Sequence, residues 1–256
     1  MLLLLKIILV PSLVAGITLV SRRFGLRIGG VLTALPMVAG PTLVFYAIEQ
    51  GDAFAADAAR SAMLGIAATA AFCVAYARTA AHTHWMGSLA AGWATLAVTA
   101  AALYRLPDLR GAGELAIAIA ALIIGRRLIP SRPSPSGSSP PPRWDIPLRM
   151  VTAAVAVVTF TGIAAALGPR LSGVVSAFPV VTMILASFTH AQGGGTAVAT
   201  FLRGLLRGLH SFAVLCLVFG VTLGALGWPL PVAFSGALAA QLALQAVILN
   251  RTRNVA

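Results

Sequence analysis

From Leu3 onward the chain repeats one pattern, a run of about 20 apolar residues, a few polar ones, then another apolar run. Neither the period-2 alternation of a half-buried strand nor the polar stripe of a surface helix divides these runs. About 20 apolar residues is the length a helix needs to cross the hydrocarbon core of a bilayer. The pattern predicts nine crossings, at 3–21, 28–49, 59–79, 85–104, 112–129, 148–167, 171–190, 203–225 and 229–249. The expected fold class is thus an all-α polytopic membrane protein. One stretch departs from the pattern: "PSRPSPSGSSPPPRWD" at 130–145, whose proline and serine content favours an extended, solvated linker. The opening "MLLLLKIILV" has the shape of a signal peptide. Its lone Lys6 and its length match the run that begins at Arg149, in mid-chain, so a retained span is expected.

Two runs are interrupted in the same way. "RIGGVLTALPMVAGPTLVFY" (27–46) and "RLSGVVSAFPVVTMILASFT" (170–189) each carry glycine and a central proline inside apolar sequence. Adding 143 to a position in the first half reaches its counterpart without a gap from about 25 to 85. Gly25, Arg27, Gly30, Pro36, Phe45, Gly51, Arg60, Gly65, Cys73 and Trp85 meet Gly168, Arg170, Gly173, Pro179, Phe188, Gly194, Arg203, Gly208, Cys216 and Trp228. Matches of Trp, Cys, Arg and Pro in register point to a duplication. The expected organisation is a four-helix repeat at 1–104, a connecting span at 105–129, the linker at 130–146 and a second four-helix repeat at 147–256. An odd number of crossings between the copies inverts the second. Basic residues agree, because Arg22, Arg23, Arg27 and Arg78 favour one set of loops in the first copy. Arg149, Arg203, Arg207, Arg251 and Arg253, against only Arg170, favour the opposite set in the second. The N-terminus is expected outside, with the linker and C-terminus cytoplasmic.

Composition strengthens the membrane assignment. Of 256 residues 59% are hydrophobic and 9% charged, against roughly a quarter charged in soluble domains. Mean hydropathy is +0.95. The formal charge of +12 would raise nucleic acid in a soluble protein. Here no basic stripe is interleaved with aromatics on a polar face, so no nucleic-acid partner is expected. Cys73 and Cys216 sit in apolar runs away from any CxxC spacing and read as inert core thiols.

At "GGVLTALPMVAGPTLVFYAIEQG" the chain resembles the GlpM-like family of small four-helix bacterial inner-membrane proteins. In that family a glycine-led second span carries a central Leu-Pro and runs into an acidic, glycine-containing loop. The likeness covers spans one to four and, more weakly, six to nine, where Gln192 stands in place of Glu49. The family includes proteins that insert in both orientations, so the resemblance implies a fused, inverted tandem of one such unit in a bacterial inner membrane. It implies an architecture and no substrate.

Candidate chemistry gathers at the interrupted spans. Pro36 cannot donate to the carbonyl of Leu32, nor Pro179 to that of Val175. A freed carbonyl in lipid must find another partner, and Thr33 and Ser176 are close in sequence. Gly40-Pro41 offers a fresh helix start. A plain kink explains one such helix. Two at equivalent positions of inverted copies point to a transport site, with Thr33, Pro36, Gly40, Pro41, Thr42, Ser176, Pro179 and Thr182 as candidate substrate residues. In "FLRGLLRGLHSFAVL", Arg203, Arg207 and His210 share a helix face at i, i+4, i+7. Arg207 and His210 are candidates for receiving a phosphate or carboxylate, and snorkelling of the arginines to the surface is the alternative. Glu49 is a candidate coupling carboxylate, with a solvated helix end as the plainer reading. No metal site, cofactor or enzymatic nucleophile is expected, since His82 and His84 have no Cys or carboxylate beside them. The function expected is transport or flipping of a small or amphipathic solute by alternating access. The alternative is a non-transporting accessory protein of an envelope or polysaccharide machine. Expected partners are membrane lipid and a small-molecule or lipid-like substrate, with a homodimer allowed.

Overall fold

The computed structural model describes residues 2–36, 39–103, 105–106, 109, 111–130, 142, 144–167 and 180–253, with backbone alone at 2–7, 157, 160–167 and 253. Every regular element among them is helical: α1 (Leu2–Phe24), α2 (Leu26–Thr33), α3 (Ala39–Gln50), α4 (Asp52–Thr79), α5 (Trp85–Leu103), α6 (Ala112–Leu128), α7 (Asp145–Leu167), α8 (Val180–Gly220) and α9 (Leu230–Arg253). A five-residue π-helical turn, Val221–Ala225, ends α8.

Against the nine expected spans, four segments among the described residues are long and apolar enough to cross a membrane: Asp52–Thr79, Trp85–Leu103, Val180–Ala225 and Leu230–Thr252. Three departures among the other spans have physical reasons. The second expected span is two helices of 8 and 12 residues, separated at Pro36, and neither alone reaches across. α6 has 17 residues. The described part of the seventh expected span, from Val180, runs into the eighth as α8, 41 residues broken only at Gly194 (φ 72°). Gly51 (φ 91°), between α3 and α4, stands 143 positions before Gly194. Both pair positive φ with extended ψ (164° and −176°), a region essentially reserved for glycine.

The centre of the bundle is α4 against the second leg of α8. A Cβ on Gly195 would collide with the Ala80 carbonyl, and one on Gly220 would lie 3.5 Å from the Ala56 oxygen. The start of one helix therefore meets the end of the other, and the two run antiparallel. α6 packs across both, its Gly125 lying where a Cβ would be 3.3 Å from Leu206 Cδ1 and 3.4 Å from Val74 Cγ2. Phe72, Tyr76, Leu122, Phe201, Leu205 and Leu206 are almost fully buried here. Small residues let the backbones approach, and dispersion rather than exclusion of water holds helices together in lipid.

Outer helices bury narrow seams. α5 buries Ser88, Gly92 and Leu96, one residue per turn, with Gly92 against the Phe72 ring. α9 buries Ala233, Ala237, Gln241 and Gln245 at the same spacing. Val98, Val151, Val155, Leu242 and Val247 face outward. Large apolar side chains exposed on several sides suit a lipid-solvated exterior. α7 lies along α1, and Asp145 at its start accepts hydrogen bonds from Arg22 Nη2 (2.5 Å), Arg149 Nε (2.9 Å) and Gln192 Nε2. Burial opposes the Asp145 carboxylate; the Arg149 and Gln192 hydrogen bonds and the Arg149 and Arg22 charges overcome it and hold its pKa below the usual range.

Candidate functional site

The interruption at Pro36 is built from the end of α2. Ala34 N–H donates to Val31 O at 3.3 Å and Leu35 N–H to Leu32 O at 3.1 Å, so the last turn tightens to i→i+3 bonding. The Leu32 carbonyl freed by Pro36 is thereby satisfied within its own chain. Thr33 Oγ1 turns back to Gly29 O (2.9 Å). The chain restarts with Gly40 N–H donating to Pro36 O (2.8 Å).

Two glutamines of α9 close the break. Gln245 Nε2 donates to Val31 O at 2.7 Å and Gln241 Nε2 to Ala34 O at 3.4 Å. Ser211 Oγ of α8 is within reach of both Gln245 Oε1 and Gly208 O, with one proton to place between them. All three side chains are buried. Gln241 Oε1 has no hydrogen-bond partner among the described residues. The sequence signal for this network is two glutamines at i, i+4 inside an apolar run; the backbone carbonyls they reach lie more than 200 positions away.

α2 packs along the second leg of α8 with little space between. A Cβ on Gly30 would strike the Phe201 carbonyl, one on Gly204 the Arg27 carbonyl, and one on Gly208 the Val31 carbonyl. Gly208 and Ser211 touch the break, while Arg207 and His210 occupy the next face of α8 at the same level. The His210 Nδ1 lies 2.9 Å from Leu206 O and 3.1 Å from Arg207 O, so the tautomer protonated at Nδ1 bonds its own helix and leaves Nε2 as the acceptor. Arg203 Nη1 caps the C-terminal end of α6 through the Ile129 carbonyl (2.6 Å), as a cation at that end of a helix should. Its counterpart Arg60 lies by the other end of α6, its Cδ 3.9 Å from where a Gly111 Cβ would be.

The remaining expected residues are dispersed. Gly40 is buried beside Phe234, Pro41 is exposed and Thr42 half-buried. Thr182 is buried in the first leg of α8. Glu49 is exposed at the end of α3. Ser176 and Pro179 lie outside the described residues, as does any contact between Pro36 and Pro179. A second group was not foreseen: Tyr76, Ser187 and His190 each bury a polar atom without a hydrogen-bond partner among the described residues, the Tyr76 and His190 rings 5.8 Å apart. A cleft of about 260 Å³ lies elsewhere, between α4, Gly111 and the π-helical turn, with the Asp57–Arg60 ion pair at its edge.

No protein-family model, curated protein or solved structure matches the chain. What fold and site define is a class: an all-helical protein with several helices of membrane-crossing length, and a broken helix sealed by glutamines beside a basic face.

Proposed function

We propose that the chain is an integral membrane transporter or flippase. It moves a small or amphipathic, anionic or lipid-linked solute by alternating access between two inverted four-helix repeats joined by α6, with nine crossings in all. The observation carrying this reading is the antiparallel contact of α4 with residues 195–220, the segment 143 positions on. A helix packed antiparallel on its own repeat counterpart is what a two-fold axis in the membrane plane produces. α6 fits that symmetry, with Arg60 by one end and Arg203 on the other. Charge supports the sidedness. Arg22, Arg27, Arg126, Arg149, Arg203 and Arg207 belong to the end of the bundle that holds Ile129 and the start of α7. Asp57 and Glu114 belong to the other end. By the excess of bases the former end is cytoplasmic, which puts the N-terminus outside. The bacterial inner membrane follows from the GlpM-like resemblance.

Close packing at Gly30, Gly204 and Gly208 favours a second reading, an accessory protein whose central helices stay shut. Labelling separates the two without knowledge of the substrate. In a chain with Cys73 and Cys216 replaced by alanine, Thr33→Cys is exposed to a membrane-impermeant maleimide from either side of sealed vesicles. Alternating access predicts reaction from both sides. Protection from at least one side under all conditions supports the accessory reading. Reporter fusions in the 130–146 linker and at the N-terminus should fall on opposite sides of the membrane, and a shared side would end the inverted arrangement.

A further inference from the structure

Four arginines from three helices converge where α6 ends. Arg203 is fixed by its 2.6 Å hydrogen bond to Ile129 O. The Arg27 backbone lies against Gly204, the residue after Arg203. Arg126 belongs to the last turn of α6, next to Gly125, which packs beneath Leu206. Arg207 stands one turn beyond Arg203, half-buried, its guanidinium with no hydrogen bond or ion pair among the described residues. Arg203 and Arg207 both lie within electrostatic reach of Arg126 and Arg27.

None of the described acids is available to balance these charges. Asp145 is engaged by Arg22, Arg149 and Gln192, and Asp57 by Arg60. Glu114 accepts from the Gly111 and Leu109 N–H groups at the far end of α6. Glu49 and Asp52 flank Gly51, between α3 and the start of α4. Like charges held together repel unless a counter-ion joins them. A guanidinium offers planar, paired donors that match the oxygens of a phosphate, and one already tethered loses less freedom on binding.

We propose that Arg27, Arg126, Arg203 and Arg207 form a binding site for one phosphate group, carried by an anionic phospholipid headgroup or by a soluble phosphate. The site deepens the transport reading, since Arg207 is one of its substrate residues, and adds Arg27 and Arg126, which sequence spacing does not connect to it. Arg203 serves as the anchored donor. Arg207, Arg27 and the exposed Arg126 supply the further donors around it. Diffuse attraction to an anionic leaflet is the competing explanation, and it predicts that every arginine at this end counts alike.

The test uses the full chain in phosphatidylcholine nanodiscs. One arm titrates inorganic phosphate by calorimetry. The other adds phosphatidylglycerol to the discs and counts retained lipid by native mass spectrometry. One-to-one binding is expected in at least one arm. Retained phosphatidylglycerol with no phosphate heat identifies a headgroup site, and phosphate heat without lipid retention identifies a soluble ligand. Arg207→Gln and Arg27→Gln should each weaken binding about tenfold, the loss of one charge-assisted hydrogen bond. Arg251→Gln, at an exposed arginine on α9 outside the cluster, should leave it unchanged. Arg207→Lys, which keeps the charge and loses the fork, should fall between and guards against misfolding. Equal losses in Arg207→Gln and Arg251→Gln, or the absence of one-to-one binding in both arms, overturns the site. Binding is read without transport, so its failure leaves alternating access standing. Labelling of Thr33→Cys from one side alone would leave this site standing.

Discussion

Gln245→Leu should cost the protein about 2 kcal/mol, while Gln241→Leu, one turn away on the same helix face, should cost close to nothing. Leucine nearly matches glutamine in volume, so each change removes polar contacts with little change in packing. Gln245→Leu loses the 2.7 Å bond to Val31 O and removes the Oε1 that accepts from Ser211 Oγ. Hydrogen bonds between membrane helices average about 0.6 kcal/mol and reach about 1.7, and a buried group left unpaired adds about 1–3. Two facts keep the total near the lower part of that range: Val31 O still accepts from Ala34 N–H, and Ser211 still reaches Gly208 O. Gln241 offers only a 3.4 Å bond and carries a buried oxygen with no partner among the described residues, so removing both ends of its amide nearly balances. Tryptophan fluorescence during equilibrium unfolding of the full chain in mixed micelles of rising dodecyl sulfate content measures both variants. Adding Ser211→Ala completes a cycle with Gln245→Leu, and its coupling should be positive and about 1 kcal/mol. A Gln241→Leu penalty equal to or above that of Gln245→Leu would refute the view that α9 seals the break chiefly through Gln245.

Gly208→Ala should destabilise by about 1–3 kcal/mol because its Cβ meets Val31 O and Ala34. Gly65→Ala, the repeat counterpart with open space around it, should be neutral or stabilising by up to about 1 kcal/mol; thermal unfolding in detergent compares the two. Gly51→Ala and Gly194→Ala should each cost about 1–3 kcal/mol in the same assay, since both force a side chain into a glycine-only backbone region. Asp145 has a folded pKa below its ordinary value of 3.8. Its stabilisation is complete above that value and is lost as pH falls through the lower folded one. The stability gap between the native chain and Asp145→Asn should therefore be constant from neutral pH down to about 5 and shrink only in stronger acid. A gap that closes near neutrality would contradict the burial of this ion pair.

Apolar runs located most helices within a few residues. The run at 85–104 is a helix at Trp85–Leu103, and that at 112–129 one at Ala112–Leu128. This is expected of long apolar runs, in which a helix is the one structure that satisfies its backbone groups within a single segment when water is excluded. Pro36 likewise marked the break, because a missing N–H is a property of one residue. What filled the break was illegible. Thr33, near in sequence, bonds its own helix, whereas Gln245 reaches Val31 from 214 positions away. Periodicity records which face of a helix is polar and says nothing about which helix will stand opposite. The same holds for Arg22 and Asp145, 123 positions apart. The i, i+4, i+7 spacing put Arg203, Arg207 and His210 on one face, but Arg27 and Arg126 joined them only through the packing of α2 and α6.

Among the described residues, several hydrogen bonds that complete the first half of the molecule are made by residues synthesised later. Ile129 O waits 74 residues for Arg203, and Val31 O waits 214 for Gln245. At a ribosomal pace of about 5–20 residues per second, the broken helix spends tens of seconds at the slower rate without its cap. During that time α2 and α3 have neither the glutamines nor the glycine face of α8 to rest against. The first four helices acquire their full set of hydrogen bonds only once α9 emerges. A ribosome stalled before Gln241 leaves the broken helix with its local bonds alone, without the glutamines that join it to the rest of the bundle.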